Sequence, residues 1–218
     1  DDYIFSQINN KVREGFNVIK MKIGYKEFEK ELEILRQTRQ TYPEIDIRLD
    51  ANGGFTPDVA LNYLERLSEL NIHSIEQPIK PNQWDELKVI CKKSPIKIAL
   101  DEELIGIRDN KERERLLKEV KPSYIILKPT LIGGFTECEQ WIEIAEQNNV
   151  GWWVTSALES NIGLNAISQW AYIKNPTFIH GLGTGKIYSN NIPSPLYLKN
   201  NRLFYSPDGV WDIHKIIS

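Results

Sequence analysis

Short apolar, β-branched runs alternate along the chain with longer stretches of helical period. The runs lie at about residues 18–23, 45–50, 73–76, 96–101, 124–128, 152–156 and 178–182, and each reads as a strand of a parallel sheet. Between them, Phe28, Leu32 and Leu35 form one helical stripe, and Leu116, Leu117 and Val120 form another. Thr56-Pro57 sets a cap and an N1 proline before VALNYLERLSEL, whose Val59, Leu61, Leu64, Leu67 and Leu70 suit a buried face. The strand ends Lys22, Asp50, Glu76, Asp101, Lys128 and Ser156 recur every 25 to 28 residues, the length of one strand, one helix and two short loops. No Pro/Gly/Ser linker interrupts the series, so residues 1–190 read as one (β/α) barrel and 191–218 as a tail of the same unit. Within that tail, PLYLKNNRLFYS predicts a hairpin turning at Asn200-Asn201.

The barrel has a deficit. Seven strands are legible, and a closed barrel of this type has eight. A helical segment at 3–13, with Ile4, Ile8 and Val12 on one face, precedes any strand, and the first residue is Asp. The expectation is that the first strand lies in an N-terminal piece outside this sequence. The alternative is an open, doubly wound sheet of seven strands.

Composition narrows the function. The 218 residues carry 27 Lys+Arg against 30 Asp+Glu, a formal charge of −3, with 41% hydrophobic and 26% charged residues. Such a balance leaves no footprint for nucleic acid or an anionic membrane. No apolar run approaches the roughly 20 residues of a membrane span, and DDYIFSQ lacks a signal-peptide pattern. Two isolated cysteines, Cys91 and Cys138, make neither a disulfide framework nor a zinc site. A reducing, cytoplasmic setting is expected.

Charge is concentrated where a barrel places its active site, at the C-terminal ends of the strands. IKMKIG, IRLDANG, SIEQP, IALDEE and IILKP end apolar strands on Lys20 and Lys22, Asp50, Glu76, Asp101 and Lys128. A period of two aims Lys20 and Lys22 to one face, and likewise Arg48 with Asp50 and Ser74 with Glu76. Buried charges need partners or an ion. Three converging carboxylates suit a hard cation, Mg²⁺ before Mn²⁺. Zinc would be expected to recruit His or Cys, and His73, His180 and His214 form no ligand pair. His73 and His180 read as packed strand residues, and His214 as an exposed tail residue. With the absent strand counted as first, the Lys20/Lys22 and Lys128 strands are second and sixth, opposed across the mouth. Such an arrangement fits proton transfer beside a metal-held carboxylate, with a small-molecule carboxylate as substrate. Lys22 is assigned as base. An ordinary lysine pKa of about 10.4 must then fall, and Lys20 is the like-charge neighbour that tunes it.

K-x-K, Asp-Ala-Asn, Glu-Gln-Pro, Asp-Glu and Lys-Pro at successive strand ends resemble the enolase superfamily, in its muconate-lactonizing subgroup, from Ile19 to Gly185. The resemblance implies a (β/α)7β-type TIM barrel, here lacking its first strand and an α+β N-terminal capping domain. It also implies Asp50, Glu76 and Asp101 as Mg²⁺ ligands and Lys22 and Lys128 as an acid/base pair. Within the subgroup, TSALESNIGL after Trp152-Trp153-Val154 is similar to the corresponding stretch of o-succinylbenzoate synthases. Gly181-Leu-Gly-Thr-Gly185 stands where dipeptide epimerases are expected to carry Asp-x-Asp. The implied reaction is dehydration of 2-succinyl-6-hydroxy-2,4-cyclohexadiene-1-carboxylate in menaquinone biosynthesis. N-succinylamino acid racemase and muconate cycloisomerase activities remain alternatives within the subgroup. A non-catalytic anion-binding barrel is the alternative outside it, and it leaves the acids and lysines unexplained.

Secondary sites stay open between two readings. Ser156 either binds the substrate's succinyl carboxylate with its loop or caps a helix. Gly181 either lets substrate approach the backbone or turns the chain. Asn52 and Glu102 adjoin metal ligands and are expected to support them, although Asn52-Gly53-Gly54 also reads as a plain turn. Trp152 and Trp153 alternate in direction, so at most one lines the mouth.

Overall fold

The alternation becomes a βα repeat in a computed structural model that describes residues 2–175, 177–183 and 188–212. In order the elements are Asp2–Arg13 (α1), Val18–Lys22 (β1), Phe28–Thr41 (α2), Asp46–Asp50 (β2), Pro57–Ser68 (α3) and Ile72–Glu76 (β3). They continue with Trp84–Lys93 (α4), Ile98–Leu100 (β4), Asn110–Val120 (α5), Tyr124–Leu127 (β5), Pro129–Ile132 (α6), Phe135–Gln147 (α7), Gly151–Val154 (β6) and Asn161–Lys174 (α8). Leu196–Lys199 (β7) and Arg202–Tyr205 (β8) close the series. Strands β1 to β6 form one sheet in sequential order, and each pair from β1 to β5 is parallel. Among the described residues no helix is long and apolar enough to cross a membrane.

The chain divides into two compact units, Asp1–Ile125 with Trp141–Trp152, and Ile126–Gln140 with Trp153–Ser218. In the first, the helical stripes meet the sheet as their spacing requires. Phe28, Leu32 and Leu35 of α2 are buried, as are Leu116, Leu117 and Val120 of α5. Each such side chain contributes about 1.5–3 kcal/mol by leaving water. Phe28 also stacks on Tyr63 of α3, with ring centroids 3.8 Å apart. On α3 itself Ala60, Leu64 and Leu67 take the buried face, while Val59 and Leu61 are only half-buried. The buried carboxylate of Glu31 accepts the backbone N–H groups of Gly24, Tyr25 and Lys26 at 2.8, 3.1 and 3.0 Å. One side chain thereby fixes the β1–α2 loop.

In the second unit the expected strand at 178–182 does not form; a single parallel bridge joins Thr155 to Gly181. Gly181 donates to the Val154 carbonyl and Ser156 donates to the Gly181 carbonyl, at 2.8 and 3.2 Å. Regular pairing would next send the Val154 N–H to a backbone carbonyl. His180 Nδ1 takes it instead, at 3.1 Å, and its Nε2 meets the Asn175 carbonyl at 3.1 Å. An imidazole replaces a ladder rung, so β-branched neighbours do not suffice to make a strand here. His180 is therefore satisfied, but not inside a strand. The β7–β8 hairpin turns at Asn200 and Asn201, at φ 48° and 57°, as a two-residue turn with both central residues left-handed.

Candidate functional site

Parallel register sets the site. Lys22 pairs with Asp50, Asp50 with Glu76, and Glu76 with Ala99, so the charged residues share one level across β1 to β3. Asp101 lies two residues beyond Ala99 and keeps the same parity. The carboxylates of Asp50, Glu76 and Asp101 are all buried, and each offers an oxygen within 4.8 Å of the others. Lys20 Nζ completes the cluster, 2.8 Å from Asp50 Oδ2 and 2.6 Å from Glu76 Oε2.

The electrostatics follow from this packing. Burial pushes the Glu76 carboxyl up to about 7; Lys20 works against the rise, while Asp50 and Asp101 add to it. Burial also acts against the Lys20 charge, but the carboxylates of Glu76 and Asp50 outweigh it and hold Lys20 well above the ordinary lysine range. Glu76 Oε1 is buried with no hydrogen-bond partner. Three hard oxygen donors, one orphaned oxygen and a carboxyl that resists ionisation together fit a divalent cation such as Mg²⁺ or Mn²⁺.

Lys22 Nζ does not join the carboxylates. It donates to Asn52 Oδ1 at 2.7 Å, and Asn52 Nδ2 donates to Glu102 Oε1 at 2.8 Å. Asn52 stands at φ 42°, and its backbone N–H donates to Asp50 Oδ1 at 3.1 Å. Asn52 thus makes the turn and touches the Asp50 carboxylate through its backbone. A groove of about 740 Å³ is lined in part by Lys20, Lys22 and Tyr25, together with Ile4 and Ile8 of α1.

Several contributors had no signal in the sequence. Gln77, at φ 37°, accepts the N–H groups of Asp101 and Glu103 on Oε1 at 3.3 and 3.1 Å. Its Nε2 donates to the Ile79 carbonyl at 3.0 Å and to Glu103 Oε2 at 3.1 Å. Glu103 in turn accepts from the Asn82 N–H and Trp84 Nε1 at 2.9 and 2.8 Å. This buried pair ties the loops that carry Glu76 and Asp101. The Gln of Glu-Gln-Pro therefore shapes the site without facing it. Tyr25, whose hydroxyl donates to Asn52 Oδ1 at 3.0 Å, was equally silent.

Lys128, Ser156 and Gly181 belong to the second unit. Lys128 is half-buried at the start of α6. Ser156 is not a helix cap, because Ser160 holds that position for α8. Its Oγ accepts the Gly183 N–H at 2.7 Å. A Cβ on Gly181 would lie 2.8 Å from Thr155 Cγ2, so any larger residue there must displace that side chain at the end of β6. Both Trp152 and Trp153 are buried. Thr184 and Gly185 of the glycine-rich run, and His214, lie outside the described residues.

Residues 5–196 match the family described as enolase C-terminal domain-like. The o-succinylbenzoate synthase of Desulfotalea psychrophila is 48% identical over 196 residues, covering 89% of this chain and 53% of that protein. The L-Ala-D/L-Glu epimerase of Francisella tularensis subsp. novicida is 29% identical over 173 residues, 78% of this chain and 48% of that one. The chain thus spans about half the length of the curated relatives it matches. Among solved structures, MenC from Desulfotalea psychrophila superposes with a TM-score of 0.88 at 46% identity, covering 96% of this chain and 57% of that one. Muconate lactonizing enzyme from Pseudomonas putida superposes with a TM-score of 0.84 at 20% identity, covering 97% and 61%, a likeness of fold alone.

Proposed function

The chain belongs to the enolase C-terminal domain-like family, and from that premise we propose that it carries the catalytic residues of an o-succinylbenzoate synthase. Its fold is the superfamily's (β/α) barrel type, as the strand-end motifs imply. The proposed reaction is dehydration of 2-succinyl-6-hydroxy-2,4-cyclohexadiene-1-carboxylate. The observation that carries the reading is the cluster of Asp50, Glu76 and Asp101 beside the Lys20/Lys22 strand, in a chain close in sequence to a curated synthase.

Asp50, Glu76 and Asp101 would hold the cation, with Mg²⁺ the favoured ion. When bound, the ion supplies positive charge to the negative charge that develops on the substrate carboxylate. Lys22, as the neutral amine, removes the proton alpha to that carboxylate and becomes an ammonium. The same ammonium returns the proton to the departing hydroxyl. One C–H bond and one C–O bond break, water leaves, and the ring becomes aromatic. General base catalysis supplies about 10²–10⁴-fold, so charge stabilisation carries most of the remaining barrier. Lys20, ion-paired to Asp50 and Glu76, orients two ligand carboxylates and opposes the effect of burial on Glu76, and it remains assigned as the like-charge neighbour of Lys22. Lys128 is assigned by its motif as the charged partner that stabilises the enediolate. Ser156 and Gly181 are assigned to the loop that takes the succinyl group. A cytoplasmic biosynthetic role is part of the same reading.

The test is turnover of the cyclohexadiene carboxylate with Mg²⁺ and with EDTA. Metal-dependent formation of o-succinylbenzoate is expected, and absence of turnover with added Mg²⁺ overturns the assignment. The similarity to an epimerase favours a second reading, racemisation of an N-succinylamino acid by Lys22 and Lys128. Deuterium incorporation from solvent into both enantiomers is the outcome that would select it.

A further inference from the structure

The two lysines of K-x-K share one face of β1 but have different partners. Lys20 sits against two carboxylates, at 2.8 and 2.6 Å. Lys22 donates to a neutral oxygen, Asn52 Oδ1, at 2.7 Å. A primary amide has two ends of opposite character, and which end meets Lys22 decides whether the contact attracts or repels. A carboxylate only accepts hydrogen bonds. Glu102 Oε1, 2.8 Å from Asn52 Nδ2, therefore compels the NH₂ end to face Glu102 and turns Oδ1 toward Lys22. The Tyr25 hydroxyl, 3.0 Å from the same oxygen, reinforces that orientation.

The backbone around Asn52 is fixed as well. Its φ of 42° lies in the left-handed region that Asn tolerates. The next residue, Gly53, stands at φ 72°, and a Cβ there would lie 2.9 Å from Lys80 Cα. The turn thus has little room to relax. Glu102 Oε2 is buried and without a hydrogen-bond partner. A carboxylate held half-satisfied costs stability, and departures of that kind concentrate at functional sites.

We propose that Asn52, oriented by Glu102, is the positioning residue that fixes Lys22 Nζ. The proposal rests on the reading of Lys22 as the base. Asn52 holds the amine by a neutral acceptor, leaving the two nearby carboxylates to Lys20. Glu102 acts one step further away, by setting the polarity of the amide.

The experiment compares Asn52→Leu, Glu102→Met and Glu102→Gln in the full protein at saturating Mg²⁺. A lost hydrogen bond to a charged group corresponds to about tenfold to a hundredfold in rate. Asn52→Leu is expected to lower kcat by about that range with KM changed by less than about threefold. Glu102→Met should fall by about tenfold, whereas Glu102→Gln, whose carbonyl still accepts from Asn52 Nδ2, should stay within about threefold of wild type. A Glu102→Gln variant as impaired as Glu102→Met overturns the orientation argument. A second readout uses neither metal nor substrate: acetic anhydride labels amines in the metal-free protein, and mass spectrometry gives the Lys22:Lys20 labelling ratio. The ratio should rise several-fold in Asn52→Leu and Glu102→Met; an unchanged ratio overturns the positioning role. If wild type fails to dehydrate the cyclohexadiene, the functional reading falls, and the labelling ratio still decides whether Asn52 positions Lys22.

Discussion

Glu76→Gln should change how stability depends on pH in the metal-free protein. Packing raises the Glu76 carboxyl from 4.5 to about 7, chiefly through burial. Between those values the native state keeps a proton that the unfolded chain has released. Stability therefore declines as pH rises through this window and is flat, as far as this group is concerned, on either side. The displacement corresponds to about 3 kcal/mol. Lys20 does not confound the window. Its native pKa lies above the ordinary 10.5, so its contribution is fully present below that value and is lost only in stronger alkali. Gln cannot ionise, yet its carbonyl can still accept from Lys20. The stability of wild type minus that of Glu76→Gln should thus fall by about 3 kcal/mol between pH 4.5 and 7.5. Urea unfolding in EDTA at four pH values measures the difference, and comparison with the variant cancels the titration of groups that do not interact with this carboxyl. Excess Mg²⁺ should then stabilise wild type at pH 7.5 by binding the native state alone, and stabilise the variant less. A difference that is independent of pH, or that grows with pH, would refute the account of the carboxylate cluster.

Three further outcomes are expected. Lys22→Ala should lower turnover by at least about 10²-fold while leaving Mg²⁺ affinity, read by calorimetry, nearly unchanged; retained dehydration would remove Lys22 as the base. Glu31→Ala strands three backbone N–H groups in the β1–α2 loop and should cost about 2–4 kcal/mol. Its urea midpoint should drop and protease should cut near residues 24–26 first; an unchanged midpoint contradicts the clamp. In Gly54→Ala a Cβ would lie 2.8 Å from the Gly24 carbonyl oxygen and 2.9 Å from that of Ala51. Both obstacles are backbone, so a loss of about 1–3 kcal/mol should appear as a lower Tm, and an unaltered Tm would show that the turn yields freely.

The repeat was legible because its causes are local. Apolar runs, helical stripes and Pro57 report burial and chain direction through nearest neighbours in sequence. Six of the seven expected strands are present, with ends displaced by a few residues. The seventh failed for a reason no window contains. Whether 178–182 pairs with β6 depends on who receives the Val154 N–H, and the recipient is a side chain, His180 Nδ1. Hydrophobic pattern cannot weigh an imidazole against a carbonyl. The Asn200-Asn201 hairpin shows the converse, since its turn chemistry resides wholly in two adjacent residues.

The site divides along the same line. Strand parity and even spacing suffice to bring Asp50, Glu76 and Asp101 together, because parallel pairing converts a repeat in sequence into a level in space. Parity could not say that Lys20 spends its charge on two of those acids while Lys22 does not. Nothing in K-x-K distinguishes the lysines; the distinction comes from side chains 30 and 56 residues away, Asn52 and Glu76. Gln77, Glu103 and Glu31 escaped notice for a related reason. Each is a polar residue whose partners include backbone N–H or carbonyl groups of loops, and loop paths are set by the fold they help to build. Residues that touch the reacting atoms are constrained by chemistry and so declare themselves by type. Those that aim them are constrained by direction alone, and in Asn52 the direction of a single amide separates a lysine that is held from one that is repelled.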